Sequence, residues 1–343
     1  MLPTPVDGLE MPRTGPLIDR FGRQHTYVRV SVTDRCNYRC VYCMPAEGMD
    51  WMPKESLLTY EEVGRIVGVL ARMGVHRVRL TGGEPTVRRD IDELVARLGA
   101  IDGIRDLSMT TNGHLFAKRA QTLADAGLRR INVSIDTLDP EQFKALTRGG
   151  DLARVLDAID AARAAGLTPV KLNAVMVRGE NDEQMFRLVE HFAPFAADTQ
   201  VRFIEAMPFT GGIDRRTHLS AGEMRTRLAE RFTLEPVERA VGGGPATTYR
   251  IAENGLVVGF ISPITEHFCH TCNRLRLMAD GHLRTCLSRE PNPSLRDVLR
   301  GGADDDLLEY AIRNQVWGKV PGHEAHLESD WKAFEGVMTR IGG

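Results

Sequence analysis

YVRVSVTDRCNYRCVYCMP, residues 27–45, decides how most of this chain is built. Its opening alternates: Val28, Val30 and Val32 fall on one side of an extended strand, Arg29, Ser31 and Thr33 on the other. The same two-sided pattern returns at residues 76–81, 105–110, 130–136, 169–177 and 200–206. Helical patterns lie between them at 60–73, 91–98, 116–126, 152–165 and 183–195. Strand and helix in regular alternation mean a parallel sheet with right-handed crossovers. Strands covered on both faces would be apolar throughout. Here Arg79, Thr81, Ser108, Thr110, Asn132, Ser134, Asp136, Lys171, Asn173 and Arg202 fall on the second face instead. A closed barrel plugged by its own branched side chains does not fit that pattern. An incomplete (β/α)6 barrel, α/β in class, with a wet, ligand-filled lumen does. A sheet with one solvated face is the simpler alternative.

The quoted stretch ends in Cys36-x3-Cys40-x2-Cys43, in the loop after the first strand, where α/β proteins carry function. Three thiolates this close suit an iron–sulfur cluster of four irons, one of which they leave open. A zinc knuckle completed from a distance competes, although zinc sites favour two-residue gaps. The other three of the six cysteines, Cys269, Cys272 and Cys286, form a second incomplete set. A zinc ribbon with His267 or His270 as fourth ligand is a stronger competitor here. Against it, Arg274 and Arg276 alternate along the strand that begins after Cys272. Two fixed cations suit an anionic substrate better than a structural staple. Two such sets in one chain point to two metal centres that share one substrate.

The 343 residues are 42 % hydrophobic and 26 % charged, with a formal net charge of −2, which is ordinary globular material without a nucleic-acid or membrane-surface footprint. No run has the apolar length of a transmembrane helix and no secretory signal opens the chain, so a cytoplasmic location with reduced thiols is expected. Residues 1–24, rich in Pro and Gly, read as a flexible lead-in, 25–207 as the partial barrel, and 208–343 as a C-terminal α+β domain. In that last part 249–251, 256–261, 275–278 and 282–286 look like short antiparallel strands, with Asp280-Gly281 as a hairpin turn. Helices follow at 295–299 and 304–314, and Gly342-Gly343 closes the sequence.

Cys-x3-Cys-x2-Cys with Tyr42 before the third cysteine, and Gly82-Gly83-Glu84-Pro85 after the second strand, resemble the radical S-adenosylmethionine superfamily. Within it, SVTDRCNYRCVYCMP, RLTGGEPTVR, TTNG, INVSIDTLD, FIEAMPF, CNRLRLMADGHLRTCL and the Gly-Gly end closely resemble the GTP 3′,8-cyclases that open molybdenum-cofactor biosynthesis. Thr86 and Val87 depart from that pattern, which has larger apolar residues there.

The resemblance implies two [4Fe-4S] clusters and S-adenosyl-L-methionine as cofactors, and a lyase reaction. A 5′-deoxyadenosyl radical would take the ribose 3′ hydrogen of GTP, and C3′–C8 bond formation followed by a further electron and proton would give (8S)-3′,8-cyclo-7,8-dihydroguanosine 5′-triphosphate. Cys36, Cys40 and Cys43 would hold the cluster that binds S-adenosylmethionine; Cys269, Cys272 and Cys286 would hold the one beside the guanine. By the same resemblance Tyr42, Gly83, Ser134 and Met207 line the S-adenosylmethionine site, where glycine lets backbone come close and Glu84 would orient the ammonium. Arg29, Arg79, Thr110, Lys171, Arg274, Leu275 and Arg276 would contact GTP, and Arg274, Arg276, Gly342 and Gly343 would be catalytic. Implied partners are GTP, an electron donor and, by pathway, a downstream cyclic pyranopterin monophosphate synthase, with no nucleic acid and no membrane; a homodimer is left open. The alternatives are a peptide-modifying radical enzyme with an auxiliary cluster, and a non-catalytic iron–sulfur or zinc protein.

Overall fold

One open, eleven-stranded sheet runs through the computed structural model, which describes residues 3–208, 214–238, 244–287, 289–322 and 338–341. Six parallel strands fill its middle in sequence order: β1 Tyr27–Ser31, β2 Arg77–Thr81, β3 Asp106–Thr111, β4 Arg130–Ser134, β5 Val170–Met176 and β6 Thr199–Glu205. Helices α1 Tyr60–Arg72, α2 Ile91–Gly99, α3 Ala120–Asp125, α4 Pro140–Thr147, α5 Leu152–Ala164 and α6 Gln184–Phe192 cross between them. The alternation seen in sequence sets the layers. Val28, Val30, Val78, Leu80, Leu107, Met109, Ile131, Val133, Leu172, Ala174, Val201 and Phe203 are all buried in one apolar cluster under the helices. Each fully buried Val, Leu, Ile or Phe there stabilises the fold by roughly 1.5–3 kcal/mol. Their polar neighbours face the opposite, concave side.

The short antiparallel strands of the later part exist, but they do not form a sheet of their own. β7 Leu234–Pro236, β8 Thr247–Ile251 and β9 Val257–Ile261 pair antiparallel, and β9 then lies parallel to β6. β10 Arg274–Leu277 and β11 Leu283–Arg284 form a second hairpin, whose β10 lies parallel to β1. The two hairpins thus extend the central sheet at opposite edges. Cys36 follows the end of β1, whereas Cys272 precedes the start of β10, so the two cysteine loops stand at opposite ends of adjacent strands.

Helices α7 Ala221–Ala229, α8 Leu295–Arg300, α9 Asp305–Trp317 and α10 Met338–Ile341 complete the described elements. Periodicity did not mark α4 or α7, although α3 and α8 are shorter still. The caps of α4 and α7 do: Asp139 accepts from the N–H of Glu141 and Gln142 with Pro140 in the first turn, and Ser220 and Glu223 form a capping box. No helix among the described residues is long and apolar enough to cross a membrane.

The lead-in expected to be flexible through residue 24 is instead docked from Leu17 onward. Leu17 is fully buried in the main core, and its N–H donates to Met73 O at 2.9 Å. A tight turn follows Leu17. Asp19 Oδ1 accepts from the N–H of Phe21 and Arg23 at 2.9 and 3.1 Å, and Gly22 turns the chain at φ 73°.

Candidate active site

All six cysteines line a single cavity of about 330 Å³ on the polar face of the sheet. The first set sits in a loop fixed from two sides. Gly83 N–H donates to Thr33 O at 2.7 Å and Glu84 N–H to Arg35 O at 2.8 Å, so the turn after β2 is laced to the cysteine loop. A Cβ on Gly83 would lie 2.3 Å from Arg35 O, which only glycine avoids. On the other side Arg39 and Val41 N–H donate to Thr147 O and Leu146 O at the end of α4, at 3.1 and 2.9 Å. The helix that periodicity missed is therefore the anchor of the first metal-binding loop.

Glu84 lines the cavity and is also held by the chain itself. Its buried carboxylate accepts from Thr86 N–H at 3.0 Å, Thr86 Oγ1 at 2.5 Å, Thr111 Oγ1 at 2.7 Å and Asn112 N–H at 2.7 Å. Those four donors match the capacity of a carboxylate, so its main work is to join the ends of β2 and β3. Thr86, the departure from the family pattern, supplies two of them. Tyr42 donates its hydroxyl to Asp136 Oδ2 at 2.6 Å, and Val175 N–H donates to Asp136 Oδ1 at 2.8 Å. Burial nonetheless pushes the Asp136 carboxyl up to about 6. Burial likewise raises the Cys36 thiol to about 11 and Cys43 to about 12.

The second set has different neighbours. Burial alone would raise Cys272, but Lys319, Arg274 and Arg276 beside it bring its thiol down to about 6. Lys319 Nζ donates to Cys272 Sγ at 3.7 Å. His270 is exposed, and neither it nor His267 lines the cavity. The zinc-ribbon reading therefore has no fourth ligand from either histidine. None of the six cysteines is in a disulfide among the described residues. Nor do any three His, Cys, Asp or Glu side chains there stand at single-ion spacing. Two sets of three thiols on one cavity wall fit multi-iron clusters, in which each thiolate takes its own iron.

Between the two sets the wall is basic. Pairing puts Arg276, Arg29 and Arg79 side by side across β10, β1 and β2. Burial, reinforced by like-charged neighbours, pulls Arg29 and Arg202 down to about 9 and Arg276 to about 10. Lys171 lies in an adjoining pocket with Arg77, Arg130 and Arg202, and is pulled down to about 6 by burial and then by Arg202, Arg130 and Arg79. Like charges side by side destabilise a bare sheet; a polyanion would reverse that. Thr110 Oγ1, Asn132 Oδ1, Asn173 Oδ1, Arg202 Nε and Arg276 Nε are buried with no hydrogen-bond partner among the described residues. Buried polar groups are normally paired, so this wall is shaped for a polar occupant.

Of the residues singled out in sequence, Arg29, Tyr42, Arg79, Gly83, Thr110, Ser134, Met207, Arg274 and Arg276 all line the cavity, with Lys171 in its side pocket. Leu275 does not follow: its side chain is fully buried in the apolar core on the far face of β10, so only its backbone could meet a ligand. Gly342 and Gly343 lie outside the described residues, although Met338 and Thr339 shortly before them line the cavity. Sequence reading gave no role to Arg202, Asn173 or Asp136, yet their place on the polar strand face marked them. Nothing marked Lys319.

Comparisons with known proteins agree with this geometry. Residues 30–192 match the model of the radical SAM superfamily, and 199–325 match that of Molybdenum Cofactor Synthesis C. The GTP 3′,8-cyclase of Marinobacter nauticus is 48 % identical over 340 residues, covering 97 % of this chain and 100 % of that protein. The GTP 3′,8-cyclase of Paracoccus denitrificans is 46 % identical over 317 residues, covering 90 % of each. Among solved structures, Streptococcus suis SuiB superposes with a TM-score of 0.62 at 17 % identity, over 89 % of this chain and 67 % of that one. SuiB bound to the precursor peptide SuiA superposes at 0.61 and 16 %, over 89 % of this chain and 66 % of that one. At such identity the SuiB likeness concerns the fold alone, whereas the cyclases share sequence along nearly the whole length. The chain belongs to the GTP 3′,8-cyclase family of the radical SAM superfamily.

Proposed function

We propose that this protein converts GTP to (8S)-3′,8-cyclo-7,8-dihydroguanosine 5′-triphosphate, a step of molybdenum-cofactor synthesis. The observation that carries the reading is one cavity lined by both cysteine sets and by the basic strand residues between them. A cluster held by Cys36, Cys40 and Cys43 would supply the electron that cleaves S-adenosylmethionine so that its adenosyl fragment can accept the ribose 3′ hydrogen; closure of C3′ on C8 would then need one further electron and a proton.

The chain's own part is binding and orientation. Arg29, Arg79, Arg202, Arg274, Arg276 and Lys171 would receive the triphosphate and the polar edges of the nucleotide. Lys171, pulled down to about 6, would take up a proton at Nζ as the phosphates arrive. Thr110, Asn132 and Asn173 offer the unpaired hydroxyl and carbonyl groups that a ribose and base need. Tyr42, Gly83, Ser134 and Met207 would border S-adenosylmethionine at the first cluster's end. Gly342-Gly343 would reach the reacting atoms beside Arg274 and Arg276, a reading supported by α10 on the cavity wall. An external electron donor and a downstream cyclic pyranopterin monophosphate synthase complete the proposal.

A peptide-modifying radical enzyme would share the fold but would have no use for so many guanidiniums around a small cavity. Anaerobic turnover with GTP, S-adenosylmethionine and a strong reductant tests the reading. Cyclised nucleotide and 5′-deoxyadenosine should form together; 5′-deoxyadenosine without any GTP-derived product would reject it.

A further inference from the structure

We propose that Lys319 is a positioning residue for the second cysteine group, and that a brace built from Asp19 and Arg23 holds it in place. The proposal rests on the reading that Cys269, Cys272 and Cys286 hold an iron–sulfur cluster. It adds residues that neither the cysteine spacing nor the alternation of the strands singles out.

Lys319 lies just beyond α9, and its side chain is only 2 % exposed. Its Nζ donates to Arg274 O at 2.9 Å and to Cys272 Sγ at 3.7 Å. Among the described residues its hydrogen bonds thus go to a carbonyl and a sulfur rather than to a carboxylate. A buried ammonium without an anionic partner is costly. A thiolate at Cys272 supplies that partner, and an N–H···S bond to a ligating sulfur is one of the means by which a protein tunes a cluster.

The brace explains how a residue 47 positions away in sequence is kept at that sulfur. One guanidinium does most of it. Arg23 Nη1 donates to Cys269 O at 2.8 Å and to Pro321 O at 2.8 Å, while Nη2 donates to Val320 O at 2.9 Å. The first cysteine of the set and the two residues after Lys319 are therefore tied to the same side chain. Arg23 is fixed in turn by Asp19 Oδ2 at 2.7 Å, and His25 Nε2 meets that oxygen at 3.0 Å. Asp19 and His25 are fully buried, so the brace is built into the core rather than laid over it. The start of the chain thus sets the distance between a cation and a metal ligand near its end.

A cation hydrogen-bonded to a ligating sulfur favours the more negative, reduced state of a cluster and raises its potential. The test is the midpoint potential of each cluster in the reconstituted full-length protein, followed by electron paramagnetic resonance, together with iron content. A Cys36→Ala/Cys40→Ala/Cys43→Ala sample assigns the second signal. Lys319→Met removes the charge while keeping the length; Lys319→Arg keeps a cation. The second midpoint should move to more negative potential in Lys319→Met and return towards the native value in Lys319→Arg, with the first midpoint unmoved. Arg23→Gln should move it in the same direction, by less. If Lys319→Met loses second-site iron and Lys319→Arg keeps it, the proposal also stands. An unchanged second midpoint at full iron content in Lys319→Met overturns it, as does equal iron loss in both Lys319 variants. Wild-type protein without iron at the second group overturns the underlying reading itself.

Discussion

The two cysteine groups have the same arithmetic and opposite surroundings. Around Cys36, Cys40 and Cys43, burial raises every thiol, and Glu84, Asp136 and the cysteines themselves raise them further, against a lowering hydrogen bond from Tyr42 to Cys40. Around Cys272 they are Lys319, Arg274 and Arg276, and the thiol is brought down to about 6. Thiolate count decides that a cluster can bind; the neighbouring charge decides what the cluster is suited to do. Acidic groups beside a cluster hold its potential low, which suits electron donation into a sulfonium. Cationic surroundings attract a polyanion and soften the cost of three thiolates beside it.

Exchanging the loss of one set for the other should break the reaction at different places, and this is the largest effect expected. Cys40→Ala should reduce 5′-deoxyadenosine formation to background. Cys272→Ala should still form 5′-deoxyadenosine with a strong chemical reductant but no cyclised nucleotide. Chromatographic quantitation of both products, with iron analysis, reads the two variants side by side. If both lost 5′-deoxyadenosine equally, the division of labour between the sites would be wrong.

A smaller effect separates the ligands rather than the clusters. Arg202 and Arg276 belong to the basic wall, so Arg202→Ala or Arg276→Ala should weaken GTP binding about 10–100-fold, the worth of one charge-assisted hydrogen bond of about 1.5–3 kcal/mol. Affinity for S-adenosylmethionine should change little. Calorimetric titration of each ligand checks this, and comparable losses for both would merge the two ends of the cavity into one site. The same titration tests Lys171. Free Lys171 is mostly neutral at pH 7, and phosphate contact would raise its pKa. GTP binding should therefore take up a proton, give a heat that depends on the buffer, and strengthen as pH falls from 8 towards 6. Lys171→Met should abolish the buffer dependence.

What the sequence made legible follows from how local each signal is. The six central strands could be read within a residue or two, because a half-buried strand must alternate and Val28, Val30, Val78 and Leu80 could face only one way. The cysteines were legible because ligand chemistry is carried by residue type. The same alternation marked Arg29, Arg79, Arg274 and Arg276, and it already placed Leu275 on the opposite face; the resemblance carried Leu275 over as a contact regardless of where its side chain points. The parallel seams β9–β6 and β10–β1 were not legible, since pairing across such separations is set by the tertiary fold rather than by either strand. Nor was the Arg23 brace, because its partners are backbone carbonyls and a carbonyl has no sequence signature.

The last contrast sets the supports of the two sites against each other by pH. At the first site Asp136 is raised to about 6 from an ordinary 3.8, so its contribution to stability is complete below about 3.8 and is lost as pH rises through about 6. In the brace of the second site, His25 is lowered to about 4 from 6.5, chiefly by burial, while Asp19 is held at about 2. The His25 contribution is therefore complete above 6.5 and is lost as pH falls through about 4, with Asp19 ionised throughout. Acidification from 6.5 to 4 should firm one support and loosen the other, each by up to about 1.4 kcal/mol per pH unit. Asp136→Asn and His25→Gln isolate the two. Asn can accept from Val175 N–H and donate to the Tyr42 hydroxyl, so the first link survives without its titration. Denaturant unfolding of the full chain from pH 4 to 6.5 should show the stability of Asp136→Asn, relative to wild type, declining as pH falls. That of His25→Gln should rise over the same range. Curves parallel to wild type in both variants would mean that the two supports do not differ in charge as their surroundings require.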